Sequence, residues 1–265
     1  MPLGRFLQDK RRDIGFSRNF LAIVAMFSML MDHIALVLIR NGKLYGYDLT
    51  LYNNAISLPE AKVWITLYTV LRMIGRIAFP IFCLLLVEGF RKTSNLFKYF
   101  IRLIMLAFVS EIPYDLMVFN EILTPITFTV QNVIFTYIIG LTMLFILRLM
   151  HSFPKFLTIF PAVGAAFATY FLRTDYAVEG IVLIYVFYMF RNDINVKCFI
   201  ALIITFLMSL EHYYGAAAIS MFFIYFYDGQ KGYLNFKTFS YLFYPLHMLV
   251  LYAIVFFSNY KNFKF

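Results

Sequence analysis

Charge is scarce in this chain. Of 265 residues, 23 are Lys or Arg and 14 are Asp or Glu, so charged residues make up 14% while 62% are hydrophobic. That leaves too little polar surface to cover a soluble domain of this size. Cysteine is nearly absent as well. Cys83 and Cys198 both fall in apolar runs, with no partners at ligand spacing, which argues against a disulfide framework or a thiolate metal site. No glycine-rich phosphate loop is present, so nucleoside triphosphates and dinucleotides have no support as ligands. The net charge of +9 comes from short basic clusters between apolar segments and forms no continuous patch, which speaks against nucleic acid as a partner.

What is abundant is long apolar sequence. The first run, Asn19 to Ile39, follows a basic segment containing Arg5, Lys10, Arg11, Arg12 and Arg18. It is long enough to cross a bilayer and no small-residue cleavage site follows it, so it reads as a retained first span. Further runs cover Trp64–Phe90, Leu96–Phe119, Ile126–Met150, Phe156–Leu172, Ala177–Phe190, Cys198–Leu210, Tyr213–Tyr227 and Phe239–Phe257. The sequence therefore predicts a single-domain, all-α, polytopic helical bundle over residues 1–265, with about nine spans. Glu211, His212 and Gly215 interrupt what would otherwise be one over-long run and predict a tight helical hairpin. An N-terminus inside and a C-terminus outside place fifteen basic residues on the cytoplasmic side and six on the other, in line with the positive-inside rule. No internal repeat or low-complexity tract appears. Small residues at Ala162–Ala168 and Gly215–Ala218 allow close helix approach.

The costly residues are the charged ones within these runs. Arg72 and Arg76 stand at i and i+4 on one face of the second span. An arginine at the bilayer centre costs roughly 2.5–3.5 kcal/mol on insertion scales, so each needs a partner, a cavity or a substrate path. Pro80 cannot donate to the Arg76 carbonyl, which predicts a kink there. At ~1.5 Å of rise per residue, His33, Arg76 and Glu111 fall about 20, 21 and 18 Å above the cytoplasmic boundary. Gln131, Asn132, Asp175, Glu179, Glu211 and His212 lie near that layer or just outside it. Singly, each of these is more often a satisfied helix-packing or interfacial group. Together, the groups on the first three spans predict a functional cavity. Asp32 adjoins His33 but points about 100° away from it, so it suits Arg72 or Arg76 better than the imidazole. A neutral His33 is then available as a proton acceptor, with a hydrogen bond to a helix carbonyl as the equally weighted alternative.

Several stretches in order carry a resemblance: DHI in the first span, GRIAFPIFCLLLVEGF followed by Thr93, KYFIRL, SEIPYDL, QNVIFT, TDYAVEGIVLI, FYMFRN and FYPLHML. From about Asn19 to Leu249 the chain resembles the TraX family of bacterial membrane proteins, named for a protein of conjugative plasmids that acetylates the N-terminus of pilin. Its first two spans are also similar to the wider group of transmembrane acyltransferases. The resemblance implies a multi-pass protein of the bacterial cytoplasmic membrane that moves an acetyl group from cytoplasmic acetyl-CoA to an amine or hydroxyl, with no metal. The acceptor would be a pilin-like protein, a peptide or a glycan. The resemblance puts His33 and Arg76 at the chemistry; the shared depth adds Glu111, with Asp32, Arg72, Gln131, Asn132, Asp175 and His247 in support. Arg91, Lys92, Lys98 and Arg102, beside Glu88, would meet the phosphates of coenzyme A, although topology-setting explains those basic residues equally well. A homo-oligomer stays open. A small transporter and a non-catalytic assembly protein are the rival classes. The first would show paired halves and broken helices, and the second would not need His33.

Overall fold

The computed structural model describes residues 15–121, 130–233 and 237–260, and the regular structure there is helical apart from two isolated bridges. Arg5, Lys10, Arg11 and Arg12 of the N-terminal basic segment, Ile126 at the start of the fourth expected span, Lys261 and Lys264 lie outside the described residues.

Helix α1 (Arg18–Ile34) starts where the Ser17 hydroxyl accepts from the Phe20 amide at 3.3 Å, and it continues as a π-helical stretch over Ala35–Lys43. Short α2 (Leu49–Ile56) follows. The second span is two helices, α3 (Ala61–Gly75) and α4 (Ala78–Lys92), broken at Arg76 and Ile77. Pro80 sits in the first turn of α4, where its missing N–H leaves no hydrogen bond unmade, so the expected kink is a clean restart of the helix. Next come α5 (Leu96–Phe119), α6 (Val133–Leu149), α7 (Ile159–Phe171), α8 (Ala177–Met189), α9 (Ile194–Tyr213), α10 (Ser220–Tyr225) and α11 (Lys237–Tyr260).

Helix α4 is the hub. It is apolar all round and buried along most of its length, and it packs against α1, α6, α8 and α10. Helix α11 lies along α5 and also touches α1. It runs parallel to α1, since Tyr241 near its start is close to Arg18 while Val255 near its end packs on Gly42. At that far end Tyr47, in the loop before α2, donates to the Met117 carbonyl at 2.7 Å. Burial pushes its hydroxyl up to about 12 and keeps it a donor.

Among the described residues, four helical stretches are long and apolar enough to cross a membrane: Arg18–Lys43, Ala61–Lys92, Ile194–Tyr213 and Phe239–Ser258. This is a helical membrane protein, but helix length does not carry the expected nine spans. Leu96–Phe119 is long enough yet includes Lys98, Arg102, Glu111 and Asp115. Val133–Leu149, Lys155–Phe171 and Ala177–Met189 are shorter. The expected hairpin turns at Tyr214 and Gly215, both at positive φ. Its second arm is only a 3₁₀ turn, Ala216–Ile219, followed by the six residues of α10.

Candidate functional site around His33 and Asp32

The break after α3 opens the position that Asp32 fills. Gly75 ends α3 directly against the Asp32 carboxylate, and a Cβ there would overlap it. Both arginines reach the same group. Arg72 Nη1 lies 2.5 Å from Asp32 Oδ2, and Arg76 Nη2 lies 2.5 Å from Asp32 Oδ1. The sequence offered either partner, and the structure uses both. Tyr213, at the end of α9, completes the cluster. Arg72 Nε donates to its hydroxyl at 3.1 Å, and the Arg76 guanidinium lies 4.9 Å from its ring centre. Tyr176 takes the other flank of Arg76 at 5.6 Å. A doubly paired, ring-flanked carboxylate is how two cations become tolerable inside an apolar bundle.

One residue along α1, His33 meets His247 of α11, with Nδ1 2.6 Å from Nε2. The rings are parallel to within 1°. The N–N distance is well inside the ~3.5–4.0 Å of non-bonded atoms, so the rings meet edge to edge through a hydrogen bond. Its direction follows from the next contact. His247 Nδ1 lies 2.6 Å from the Phe243 carbonyl, which can only accept, so Nδ1 carries the proton. In a neutral His247 the Nε2 is then bare and accepts from His33 Nδ1–H, leaving His33 Nε2 as the basic nitrogen. The Phe243 ring stacks on His247 at 4.6 Å and helps fix it. This pairing escaped the sequence reading, which named His247 only as support. The two residues are 214 positions apart, and nothing short of the fold joins them.

Other expected residues fall elsewhere. Glu111 is buried, but its described hydrogen bonds come from the Asn132 backbone and side-chain amides and not from His33 or Arg76. Asn132 also caps α6 through the Ile134 amide and donates to the Ala107 carbonyl. Gln131 ties the loop before α6 to the turn after α7 through backbone bonds with Arg173 and Asp175. These three residues therefore hold α5, α6 and the α7–α8 turn together. Asp175 caps Tyr176 and lies within electrostatic reach of Arg76 and Asp32.

Below the histidines, between α1, α4, α5, α6 and α11, lies a cavity of about 440 Å³. Its rim carries Arg18, Lys92, Arg102 and Lys231, with Glu88 as the carboxylate among its lining residues. Its inner end is bounded by Met29, Tyr137 and Tyr244. Of the five residues expected to meet coenzyme A, Glu88, Lys92 and Arg102 line this space. Arg91 turns back to pair with Glu88 at 2.9 Å, and Lys98 lies on the exposed first turn of α5, so neither lines the cavity.

No solved structure matches the chain. A probable fimbrial assembly protein FimC of serogroup H1, from Dichelobacter nodosus, is 28% identical over 260 residues, covering 91% of this chain and 96% of its own. A family model described as TraX protein matches residues 17–255. On that match, which takes in every element from α1 through most of α11, the chain belongs to the TraX family.

Proposed function

We propose that this protein is a membrane-embedded acyltransferase of pilus assembly, moving an acetyl group from acetyl-CoA to an amine or hydroxyl acceptor, with a pilin-like protein as the first candidate. The observation that carries the reading is the hydrogen-bonded series Phe243 carbonyl, His247, His33, which leaves His33 Nε2 as a base of defined tautomer beside two arginines. In the proposed step His33 Nε2 takes the proton from the acceptor as its nitrogen or oxygen adds to the thioester carbonyl. The C–S bond then breaks, and the coenzyme A thiolate leaves and takes the proton back from the imidazolium. His247 shares the imidazolium charge through the Nδ1–H bond. Arg76 binds Asp32 through Nη2 and the Arg72 carbonyl through Nε, and its Nη1 group serves the developing oxyanion, with Arg72 beside it. Glu111 has no chemical part in this scheme. It secures Asn132 and with it the start of α6.

The orientation proposed with this function puts the N-terminus and the basic rim in the cytoplasm, where the donor is, and the C-terminus outside. The protein would then be a multi-pass protein of the bacterial cytoplasmic membrane. The parallel course of α1 and α11 supports ends on opposite faces.

A non-catalytic part in pilus assembly is the second reading, favoured by the printed name of the relative from Dichelobacter nodosus. The two separate in one assay. Purified protein is incubated with acetyl-labelled coenzyme A, with and without a pilin-like peptide bearing a free N-terminus. Labelled peptide, or donor hydrolysis above background, is expected. An intact donor pool with well-folded protein would favour the assembly reading.

A further inference from the structure

The cavity below the histidine pair has a shape that its rim charges alone do not explain. Topology-setting lysines and arginines are ordinarily solvated and need nothing beneath them. Here they surround the mouth of a deep shaft. From Arg18 to Met29 along α1, and from Thr93 to Phe82 along α4, the lining spans eleven residues, or ~16 Å of helix. The walls between are apolar, with Ala22, Phe82, Leu86, Leu103, Leu106 and Ile134. Its ~440 Å³ is within the usual range of small-molecule sites. The floor stops one turn short of the proposed base, since Met29 precedes His33 by four residues and Tyr244 precedes His247 by three.

Charge at the mouth is unbalanced. Glu88 is shared by Arg91 and Lys92, each at 2.9 Å, and Lys92 also donates to the Gly229 carbonyl at 2.7 Å. Arg18 and Arg102 line the mouth together with Tyr241, and no ion pair is described for either of them or for Lys231 among the described residues. Gly89 contributes to the rim by its size, because a Cβ there would come 2.8 Å from the Tyr99 hydroxyl, another lining group. A cationic ring above a narrow apolar bore is complementary to a phosphate head carrying a slender chain.

We propose that the shaft is the seat of the acyl donor. The phosphates of coenzyme A rest on Arg18, Lys92, Arg102 and Lys231, the arm descends the apolar wall, and the thioester reaches the floor at Tyr137 and Tyr244. The proposal rests on the acyltransferase reading. It keeps Lys92 and Arg102 for donor binding and assigns Arg18 and Lys231 in place of Arg91 and Lys98. A membrane phospholipid offers the same chemistry of phosphate and chain, so the test must separate the two sources.

The probe is coenzyme A itself, titrated into the full-length protein in detergent with binding read by calorimetry, so no transfer is required. His33→Ala should bind it as the wild type does. Arg18→Ala and Arg102→Ala should each weaken binding at least about tenfold, and Arg148→Ala, a basic residue away from the shaft, should not. Leu106→Trp, with rim charges intact and an unchanged melting profile, should abolish binding by filling the bore. Phosphatidylglycerol at matched detergent should not displace coenzyme A. Binding indifferent to Arg102→Ala and Leu106→Trp would overturn the proposal, as would full displacement by phosphatidylglycerol or by inorganic phosphate at matched ionic strength. Folded wild-type protein that ignores coenzyme A would overturn it too. That failure is distinguishable from failure of the catalytic reading, which shows itself as undiminished transfer by His33→Ala.

Discussion

Nδ1 of His33 lies 2.6 Å from Nε2 of His247, and the carbonyl of Phe243 behind it fixes which of the two rings donates. The consequence is testable without touching His33. His247→Leu removes the acceptor, frees the His33 tautomer, and should lower turnover roughly 10–100-fold, the usual cost of losing an orienting partner. His247→Gln places a carbonyl oxygen within reach and should restore part of it. The loss should fall on kcat and leave KM for the donor within about twofold. An equal loss in the two variants would make the contact one of packing only.

Asp32 pairs with two arginines at once, so Asp32→Asn leaves both without a carboxylate partner. Breaking a buried ion pair from one side costs about 3–5 kcal/mol, and the melting temperature in detergent should fall accordingly. Asp32→Asn combined with Arg72→Gln should recover part of the loss. An unchanged melting temperature in Asp32→Asn would deny the pairing its structural weight.

Gly75 is constrained by the same carboxylate. Gly75→Ala puts a methyl where Asp32 stands, and the overlap should destabilise the protein by about 1–3 kcal/mol, the usual range for overpacking. Gly164→Ala is the matched control, since a Cβ there meets nothing within 4 Å. Equal melting temperatures for the two variants would contradict the geometry.

Orientation is read from two single-cysteine variants in a background lacking Cys83 and Cys198. Ser152→Cys, in the exposed turn between α6 and α7, should react with an impermeant maleimide only from the cytoplasmic side. Asn53→Cys, exposed on α2, should react only from the other. Labelling of both from one side would contradict the placement of these turns on opposite faces, and an exchange of the two sides would reverse the orientation.

The sequence reading and the structure agree where position along a helix was enough. Arg72 and Arg76 share a face by their spacing, and Asp32 was their natural partner by its divergence from His33. Pro80 marked the interruption of the second span. The reading fails where rotation about the helix axis matters. A depth count gives the height of Glu111 but not the direction it faces, and it faces Asn132. The same gap hid His247, since only the packing of α11 on α1 brings position 247 to position 33. The run Tyr213–Tyr227 is short for a span by count, and the structure shortens it further. It folds as a turn and a few residues of helix, because Tyr214 and Gly215 take positive φ and three alanines let the chain pack close.

The most direct test is the single-turnover rate of acyl transfer from acetyl-CoA to a pilin-like peptide, measured for wild-type and His33→Ala protein of equal thermal stability. General base catalysis contributes about 10²–10⁴-fold, so His33→Ala should lose turnover by that factor while still binding coenzyme A. Transfer at the wild-type rate by well-folded His33→Ala protein would contradict the account.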